Sequence, residues 1–443
     1  MRVLMLGWEF PPHISGGLGT ACEGLSIGLA RQNVEVIFVV PHVYGDEYAP
    51  HMLLMDCMGN TPKNSHPETG NLATLGKKFP GLRVKRVPAM LKPYLSGAGL
   101  ADYLTMIREH RAEIFRLTSA LDTGVEEEAF PKRESFHQYG WDIFAEVERF
   151  AANIVALFGN EHFDVVHAHD WMTYPAGLAL ARMTGKPLVV HVHSLEYDRS
   201  GDRINQGIFD IERLGVTSAD AVVAVSYYTR KIVNQQHGVP NDRIWVVHNG
   251  VYPAGAVQSY RKGSRFQGKL VLFLGRVTFQ KGPDYFVEAA ARVVQHVPNV
   301  MFVLAGSGDM LPRLMDRVSE LGVRDHFLFP GFLKGSEVEE MFSLADLYVM
   351  PSVSEPFGIS ALEAIKFETP VIISRQSGVS EVLSHALKVD FWDVNRLADL
   401  MINALIHEEL RADMVAMARE EVRRLHWDAA AAKAAEVYNR VVS

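Results

Sequence analysis

Short runs of continuous apolar residues alternate along this chain with segments of helical periodicity. RVLMLG and VEVIFVVP are separated by a glycine-containing loop and the helical pattern TACEGLSIGLARQN. The unit recurs with FDVVHAHD, PLVVHVHS and DAVVAVS, and later with LVLFLGR, VMFVLAG, DLYVMP and PVIIS. Strands that are apolar throughout are covered on both faces, and strands joined by a crossover helix run parallel. The pattern therefore predicts an α/β fold with doubly wound, Rossmann-like sheets.

The chain is too long for a single hydrophobic core, since it has 443 residues. A polar, glycine-rich stretch at 254–268 separates two sets of strands and helices. We predict one Rossmann-like domain at 1–250, a second at 251–425 and a C-terminal helix at 426–443. Residues at about 50–150 lack the alternation, and we predict an irregular, partly helical insertion there.

Bulk properties exclude several classes of protein. The net charge of −8 does not favour a nucleic-acid or anionic-membrane partner. Only two cysteines are present, Cys22 and Cys57, which suits a reducing compartment rather than a disulfide framework. The first apolar run is too short for a signal peptide, and no stretch approaches the roughly 20 apolar residues of a membrane span. We expect a cytoplasmic protein without a transmembrane segment, of unknown oligomeric state.

A glycine cluster lies between the first strand and the first helix, where the chain reads GGLG from Gly16 to Gly19. Glycines let backbone N–H groups approach a ligand closely, and a helix N-terminus favours an anion. The same residues suit a plain tight turn, and GGLG is not the G-x-G-x-x-G fingerprint of dinucleotide sites. Both interpretations, anion site and turn, stay open.

Two cations follow the strand LVLFLG in the segment GRVTFQKG. Arg276 and Lys281 lie past the carboxyl end of that strand, where ligands bind in open α/β sheets. An arginine fork and a lysine point charge can hold a diphosphate there. The alternative is a solvated loop with two surface cations.

Four histidines form two H-x-H pairs at the ends of two strands that we expect to be neighbours: His167, His169, His191 and His193. Alternation along a strand directs both members of a pair to the same side. Such pairs can bind zinc or iron, which would suit a metal-dependent hydrolase. The alternative packs one histidine of each pair in the core and turns the other toward a cleft. Because short histidine motifs predict metals poorly without a fixed coordination set, we predict no metal site.

The segment SEPFGISALEAIKFETPVI contains two glutamates eight residues apart. Gly358 lets the chain turn into a helix whose first N–H groups are free. Glu355 is expected on the preceding loop and Glu363 about a turn and a half into the helix. This spacing does not place the carboxylates side by side, so a proton-sharing dyad is not expected. They either bind separate hydroxyls of one extended ligand or are ordinary charged residues.

Together these segments resemble a retaining glycosyltransferase of the GT-B fold, from families 4 and 5. EPFGISALE is similar to that group's E-x7-E motif, and GRVTFQKG to its GRL…KG phosphate segment. WEFPPHISGGLGTACEGLSIGLARQNVEVIFVVP, FDVVHAHDW and VVHVHSLE are similar to bacterial and archaeal glycogen synthases. The resemblance covers most of the chain outside about 50–150, and the order and spacing of five motifs make it specific.

The resemblance implies two domains that face a central cleft, with the acceptor on the first domain and the nucleotide sugar on the second. The last helix would cross back onto the first domain. The donor-binding residues that it implies are Gly16, Gly17, Arg276, Lys281, Glu355, Phe357, Gly358, Ile359 and Glu363.

The resemblance also implies individual roles. Glu363 would accept hydrogen bonds from the donor's ribose and Glu355 from the transferred sugar. Arg276 and Lys281 would neutralise the departing diphosphate, so no metal or other cofactor is expected. His193 would face the sugar near its anomeric carbon. The acceptor side would be lined by His169 and Asp170.

The implied reaction is glycosyl transfer from a nucleoside-diphosphate sugar to a carbohydrate acceptor with retention of configuration. Stabilisation of the leaving diphosphate would replace a protein nucleophile. The preferred product is an α-1,4-glucan, as in glycogen synthases. HISGGL lacks the lysine of their K-x-GGL segment, so a transferase that makes a glycolipid, a cell-surface oligosaccharide or a disaccharide stays open. The donor nucleotide is not indicated.

Overall fold

The computed structural model describes residues 1–13, 16–61, 143–252 and 268–443. The strands of the first half are β1 Arg2–Leu6, β2 Glu35–Val40, β3 Leu53–Asp56, β4 Val165–His169, β5 Leu188–Val192, β6 Ala221–Ala224 and β7 Ile244–Val246. They form one parallel sheet in the order β3-β2-β1-β4-β5-β6-β7. The buried, apolar character of these strands follows from helices on both faces.

The helices described in the first half are α1 Gly17–Arg31, α2 Ile143–Phe158, α3 Tyr174–Thr184, α4 Glu196–Ser200, α5 Gln206–Ser218 and α6 Tyr227–His237. Local sequence explains several of their ends. The side chains of Asn205 and Ser226 accept hydrogen bonds from first-turn N–H groups and so begin α5 and α6. Gly185 and Gly238 end α3 and α6 in the left-handed conformation.

The second half has a smaller parallel sheet. Its strands are β8 Lys269–Leu274, β9 Val300–Ala305, β10 Phe327–Gly331, β11 Leu347–Met350, β12 Val371–Ser374 and β13 Leu387–Val389, in the order β10-β9-β8-β11-β12-β13. The helices are α7 Pro283–Val293, α8 Leu311–Glu320, α9 Ser336–Leu344, α10 Ile359–Lys366, α11 Val394–Ile406, α12 Glu408–Val422 and α13 Trp427–Val442. The prediction of two doubly wound parallel sheets is confirmed.

Each sheet has a point at which the strand order reverses. In the first sheet β1 lies between β2 and β4, and in the second β8 lies between β9 and β11. Loops that leave two such strands diverge to opposite faces, and the crevice between them is the usual ligand site of doubly wound sheets. The glycine cluster follows β1, and the H-x-H pair of His169 ends β4. Arg276 and Lys281 follow β8, and Glu355 follows β11.

The C-terminal helix α13 packs on the first half, against α1. A Cβ at Gly24 would lie 2.2 Å from Cε2 of Trp427, and one at Gly28 would lie 2.7 Å from the Trp427 carbonyl oxygen. Trp427 is only 4% exposed and belongs to the hydrophobic core of the first half. Because Gly24 and Gly28 lack side chains, α13 can pack closely against α1.

The chain passes between the halves in both directions, and the two passages touch. The N–H of Val251 donates to the carbonyl of Leu425 at 2.9 Å. A Cβ at Gly250 would lie 2.6 Å from the carbonyl carbon of His426. The end of the first half at Gly250 and Val251 therefore lies beside the chain at Leu425 and His426.

Regular structure enters both ends of the stretch predicted as an insertion. The strand β3 pairs with β2 at the edge of the first sheet, and α2 begins before the predicted limit at 150. The rest of the predicted insertion, 62–142, lies outside the described residues. So does 253–267 at the predicted domain boundary, and the domain limits stay predictions. Among the described residues, no helix is both long and apolar enough to span a bilayer.

Candidate active site

Lys281 and Glu355 form an ion pair at the switch point of the second sheet. Nζ of Lys281 lies 2.5 Å from Oε2 of Glu355, which also accepts from Oγ of Ser352 at 3.1 Å. Nη2 of Arg276 donates to Oε1 of the buried Gln280 at 2.8 Å. Three of the predicted site residues therefore lie at one edge of the sheet: Arg276, Lys281 and Glu355.

The helix α10 begins at this edge. Gly358 precedes it with φ +106°, and a Cβ there would lie 2.9 Å from Cε of Met350. No side chain among the described residues caps the helix. The N–H of Ala361 donates to the Gly358 carbonyl at 3.1 Å, and the N–H groups of Ile359 and Ser360 remain available for an anion beside Glu355 and Lys281.

Glu363 lies in the second turn of α10. No hydrogen bond or ion pair from a described residue reaches its partly buried carboxylate, and desolvation raises its pKa above the ordinary value. No hydrogen bond joins it to Glu355 either. The two carboxylates are therefore separate groups, one paired with Lys281 and the other unpaired.

The glycine cluster of the first half faces the start of α10. A Cβ at Gly17 would lie 4.0 Å from Cδ1 of Ile359, and one at Gly16 would have no described atom within 4 Å. Ile359 is the first residue of α10 and packs against hydrophobic cores of both halves. The N-termini of α1 and α10 thus meet across the cleft, and both favour negative charge.

The four histidines form a two-by-two array on one face of the first sheet. Ring centroids are 4.2 Å apart within each H-x-H pair, and across the strands they are 5.3 Å apart for His167–His191 and 5.1 Å for His169–His193. Nδ1 of His167 is hydrogen-bonded to the hydroxyl of Tyr438 on α13 at 2.7 Å. Burial lowers the pKa of all four rings, that of His193 to about 3. The array is therefore neutral at neutral pH.

Two groups of side chains in and beside this array have possible ligand atoms within 4.8 Å of one another: Cys22–His169–His193 and His167–His169–His191. Nδ1 of His169 and Nε2 of His193 are 2.8 Å apart and hydrogen-bonded to each other. These two nitrogens therefore satisfy each other without an ion, and the absence of a metal cofactor stays a prediction.

Family models match both halves of the chain. The model for glycosyltransferase family 4 matches residues 98–254, and that for glycosyl transferases group 1 matches 258–421. The α-maltose-1-phosphate synthase of Mycolicibacterium smegmatis is 31% identical over 66% of this chain and 82% of that protein. The chain belongs to glycosyltransferase family 4.

Other relatives and solved structures agree with this membership. An uncharacterized glycosyltransferase of Methanocaldococcus jannaschii is 29% identical over 87% of this chain and 83% of its own, and a glycogen synthase of Mycobacterium tuberculosis is 24% identical over 86% and 80%. The sucrose-phosphate synthase from Thermosynechococcus elongatus superposes with a TM-score of 0.69 at 18% identity, covering 99% of this chain and 98% of that chain. Anabaena HepE in complex with UDP-glucose gives 0.63 at 16%, covering 99% and 100%.

The glycosyltransferase thus has the GT-B fold that the motifs predicted. Membership of this family also decides between the two enzyme classes left open by the sequence, in favour of the transferase and against the metal-dependent hydrolase. The roles of the individual site residues stay predictions.

Residues 354–357 of the glycosyltransferase are hydrogen-bonded to its first half. Oγ of Ser354 donates to Oδ1 of Asp198 at 2.5 Å and lies 3.0 Å from the hydroxyl of Tyr228. The carbonyl of Pro356 accepts from Oγ of Ser226 at 2.6 Å and from Oγ1 of Thr229 at 3.2 Å. The segment that carries Glu355 is therefore fixed from both sides of the cleft.

The sequence carries no signal for these cross-cleft contacts. Ser226 and Thr229 have the spacing of a helix cap, which Ser226 does form. Their second partner, Pro356, is 130 residues away from Ser226 along the chain. Only the folded chain brings the hydroxyl groups and that carbonyl together.

Asp170 organises the loop that carries His193. It has φ +59°, and its Oδ1 accepts from the N–H groups of His193 and Ser194 at 2.7 and 3.3 Å. Asp170 is 1% exposed and His169 is fully buried. These two residues, predicted on the acceptor side, thus support His193 from beneath and present no exposed side chain to the cleft.

Replacement of Asp170 by asparagine should flatten the pH dependence of stability. Desolvation raises the pKa of Asp170 from 3.8 to about 7. The folded state therefore keeps a proton that the unfolded state releases, and the stabilising contribution, complete below pH 4, is lost as pH rises through about 7. We expect the loss in urea midpoint between pH 5 and pH 8 to be smaller in Asp170→Asn. Equal losses in both proteins would contradict the assignment.

Proposed function

We propose that this glycosyltransferase moves a glucosyl group from a nucleoside-diphosphate glucose to an α-1,4-glucan, with retention of anomeric configuration. The observation that carries the proposal is the junction of α1 and α10. Two helix N-termini meet there across the cleft, beside the Lys281–Glu355 ion pair. A diphosphate between the domains would have a positive electrostatic environment on both sides.

The ion pair gives the diphosphate a preformed cation. In the free enzyme Glu355 neutralises Lys281 and holds its amine within the crevice. A bound diphosphate would pair with the Lys281 amine in place of Glu355. Glu355 could then accept hydrogen bonds from the hydroxyls of the sugar. Arg276, on the same loop, would supply a second cation. We propose that these cations make a metal ion unnecessary.

Glu363 is the proposed acceptor for the ribose hydroxyls. Its partly buried carboxylate lacks a hydrogen-bond or ion-pair partner among the described residues, and desolvation of an unpaired carboxylate is costly until a donor satisfies it. Two vicinal hydroxyls would provide charge-assisted hydrogen bonds. This arrangement selects a nucleotide sugar over a simple sugar phosphate.

The chemistry proposed is electrostatic. As the bond between the anomeric carbon and the diphosphate breaks, negative charge grows on the leaving group at the two helix N-termini. Burial lowers the pKa of His193 to about 3, so its neutral ring is too weakly basic to take a proton and acts as a polar contact. The acceptor hydroxyl would attack from the face that the leaving group vacates, and its proton would leave with the diphosphate.

The choice of glucan rests on the relatives. Those matching over the greatest part of their length include proteins named glycogen synthase and α-maltose-1-phosphate synthase. Others are named D-inositol 3-phosphate glycosyltransferase, of which one from Xylanimonas cellulosilytica is 31% identical over 62% of this chain. A glycolipid, an oligosaccharide or a phosphorylated small acceptor is therefore the alternative.

A donor and acceptor panel tests the proposal. UDP-, ADP- and GDP-glucose are each incubated with glycogen, maltooligosaccharides, glucose 1-phosphate and inositol phosphate, and the released nucleoside diphosphate is measured with and without EDTA. We expect one glucose donor to elongate the glucan, with an α-configured product by NMR and no loss in EDTA. Turnover with inositol phosphate alone would replace the acceptor assignment, and a β-linked product would contradict retention.

Substitution of Glu363 by glutamine should weaken donor binding. The amide keeps one acceptor oxygen but loses the charge, so we expect KM for the donor to rise roughly tenfold, on the order of one charge-assisted hydrogen bond. The matched control is Glu340→Gln, at an exposed position of α9. A donor KM that changes equally in both variants would remove Glu363 from the donor site.

A further inference from the structure

His193 has only one ring nitrogen left for a ligand. Its Nε2 is 2.8 Å from Nδ1 of His169. Its Nδ1 has no hydrogen-bond partner among the described residues, and the residue is partly exposed. Any contact of this ring with a ligand must therefore use Nδ1.

The bond between the two rings has two forms. Both imidazoles are neutral, so each carries one proton. In the first form His169 donates from Nδ1 and His193 carries its proton on Nδ1. In the second form His193 donates from Nε2, and His169 carries its proton on its own Nε2. The protonation of His169 thus decides whether His193 offers a ligand a donor or an acceptor.

The surroundings of His169 distinguish these forms. Its Nε2 is buried and has no hydrogen-bond partner among the described residues. The second form would leave the Nε2–H of His169 buried without an acceptor, and unpaired buried N–H groups are rare in folded proteins. The first form leaves only a lone pair unpaired at that nitrogen.

We infer that His169 is a positioning residue that holds His193 as the Nδ1–H tautomer, so that His193 presents a hydrogen-bond donor to an oxygen of the transferred sugar. The inference rests on the proposed place of His193 beside that sugar. It adds that the Nδ1–H of His193 donates a hydrogen bond to a lone pair of that sugar oxygen. His193 therefore accepts no proton from a hydroxyl. The tautomer of His193 is thus set by His169, which does not itself contact the substrate.

The tautomer can be read directly by NMR. In the full-length enzyme labelled with ¹⁵N-histidine, the His193 signals are assigned by their loss in His193→Gln. We expect Nδ1 of His193 to be protonated and Nε2 to be unprotonated. A protonated Nε2 in the free enzyme would overturn the inference. Because no substrate is present, this result stands apart from the identity of the donor or acceptor.

Two variants at position 169 test the positioning role. Asparagine places an amide N–H near the site of Nδ1, whereas leucine has a similar size and no donor. With the substrates found in the panel, we expect His169→Leu to lose at least about tenfold in kcat/KM, the loss of one buried hydrogen bond, and His169→Asn to retain most of the activity and the Nδ1–H signal of His193. Thermal midpoints of both variants separate this effect from general destabilisation. Equal activity losses in the two variants, at equal stability, would overturn the role.

Discussion

Replacing Lys281 by alanine is expected to lower kcat/KM for glycosyl transfer by ~100- to 1000-fold, the usual cost of removing one group that stabilises transition-state charge. Lys281 lies at the edge of the sheet where α10 begins, and its amine is held in place by Glu355 at 2.5 Å. Without it, the departing diphosphate would lose a full positive charge. Initial rates over a range of donor concentrations give the measurement, and kcat should fall along with kcat/KM.

Lys269 provides the matched control for this variant. It begins β8, at the opposite end of the strand from Lys281, and pairs with Asp346 at 3.8 Å. The partly exposed Lys269–Asp346 pair contributes little to stability, so Lys269→Ala should stay close to wild type in both rate and thermal midpoint. Near-normal turnover by Lys281→Ala would contradict the proposed role. Equal losses in both variants would mean that the rate depends on the net charge of the protein and not on the position of Lys281.

Truncation of Trp427 to alanine should destabilise the protein by about 3–5 kcal/mol, the range for a large aromatic side chain removed from a core. The ring is 4% exposed and fills the space above Gly24 on α1. Its loss leaves a cavity under the first turn of α13. Guanidinium unfolding followed by circular dichroism measures the change.

Trp392 is the control for Trp427, since it is 58% exposed. Trp392→Ala should change the free energy of unfolding by no more than about 0.5 kcal/mol. A similar small change in Trp427→Ala would contradict the assignment of Trp427 as the side chain that anchors the start of α13. Gly24→Ala should act in the same direction as Trp427→Ala, because its Cβ would overlap the ring, and the two effects should not add.

The sheets were predictable because their strands are apolar runs bounded by glycine, proline or polar residues. β3 was missed because its four residues, LLMD, end in a charge and precede an irregular polar stretch. α4 was missed because its five residues are too few to show helical periodicity. Alternation correctly placed each H-x-H pair on one side of its strand. The contacts between rings on the two strands depend on the register that pairs His169 with His191, which no local pattern specifies.

The sequence was sufficient to predict which segments form the candidate site. It was not sufficient to predict the contacts between them. Strand order at the switch points brings Lys281 and Glu355 together, and the residue types of both were informative in the sequence. Their ion pair, the contact of Gly17 with Ile359 and the hydrogen bond from Ser354 to Asp198 all depend on how the two halves meet. Contacts between residues so far apart in the chain have no local pattern to reveal them.

The paired passages at Val251 and Leu425 have a mechanical consequence. Because the N–H of Val251 is bonded to the carbonyl of Leu425, we expect a change in the angle between the halves to pivot near that bond, where their separation is fixed. The seat of α13 on α1 anchors the second connection to the first half. Opening would then part Gly17 from Ile359, and the hydrogen bonds at Ser354 and Pro356 would limit its extent. We expect a pivot of this kind to bring the two helix N-termini back to the same separation whenever the cleft closes.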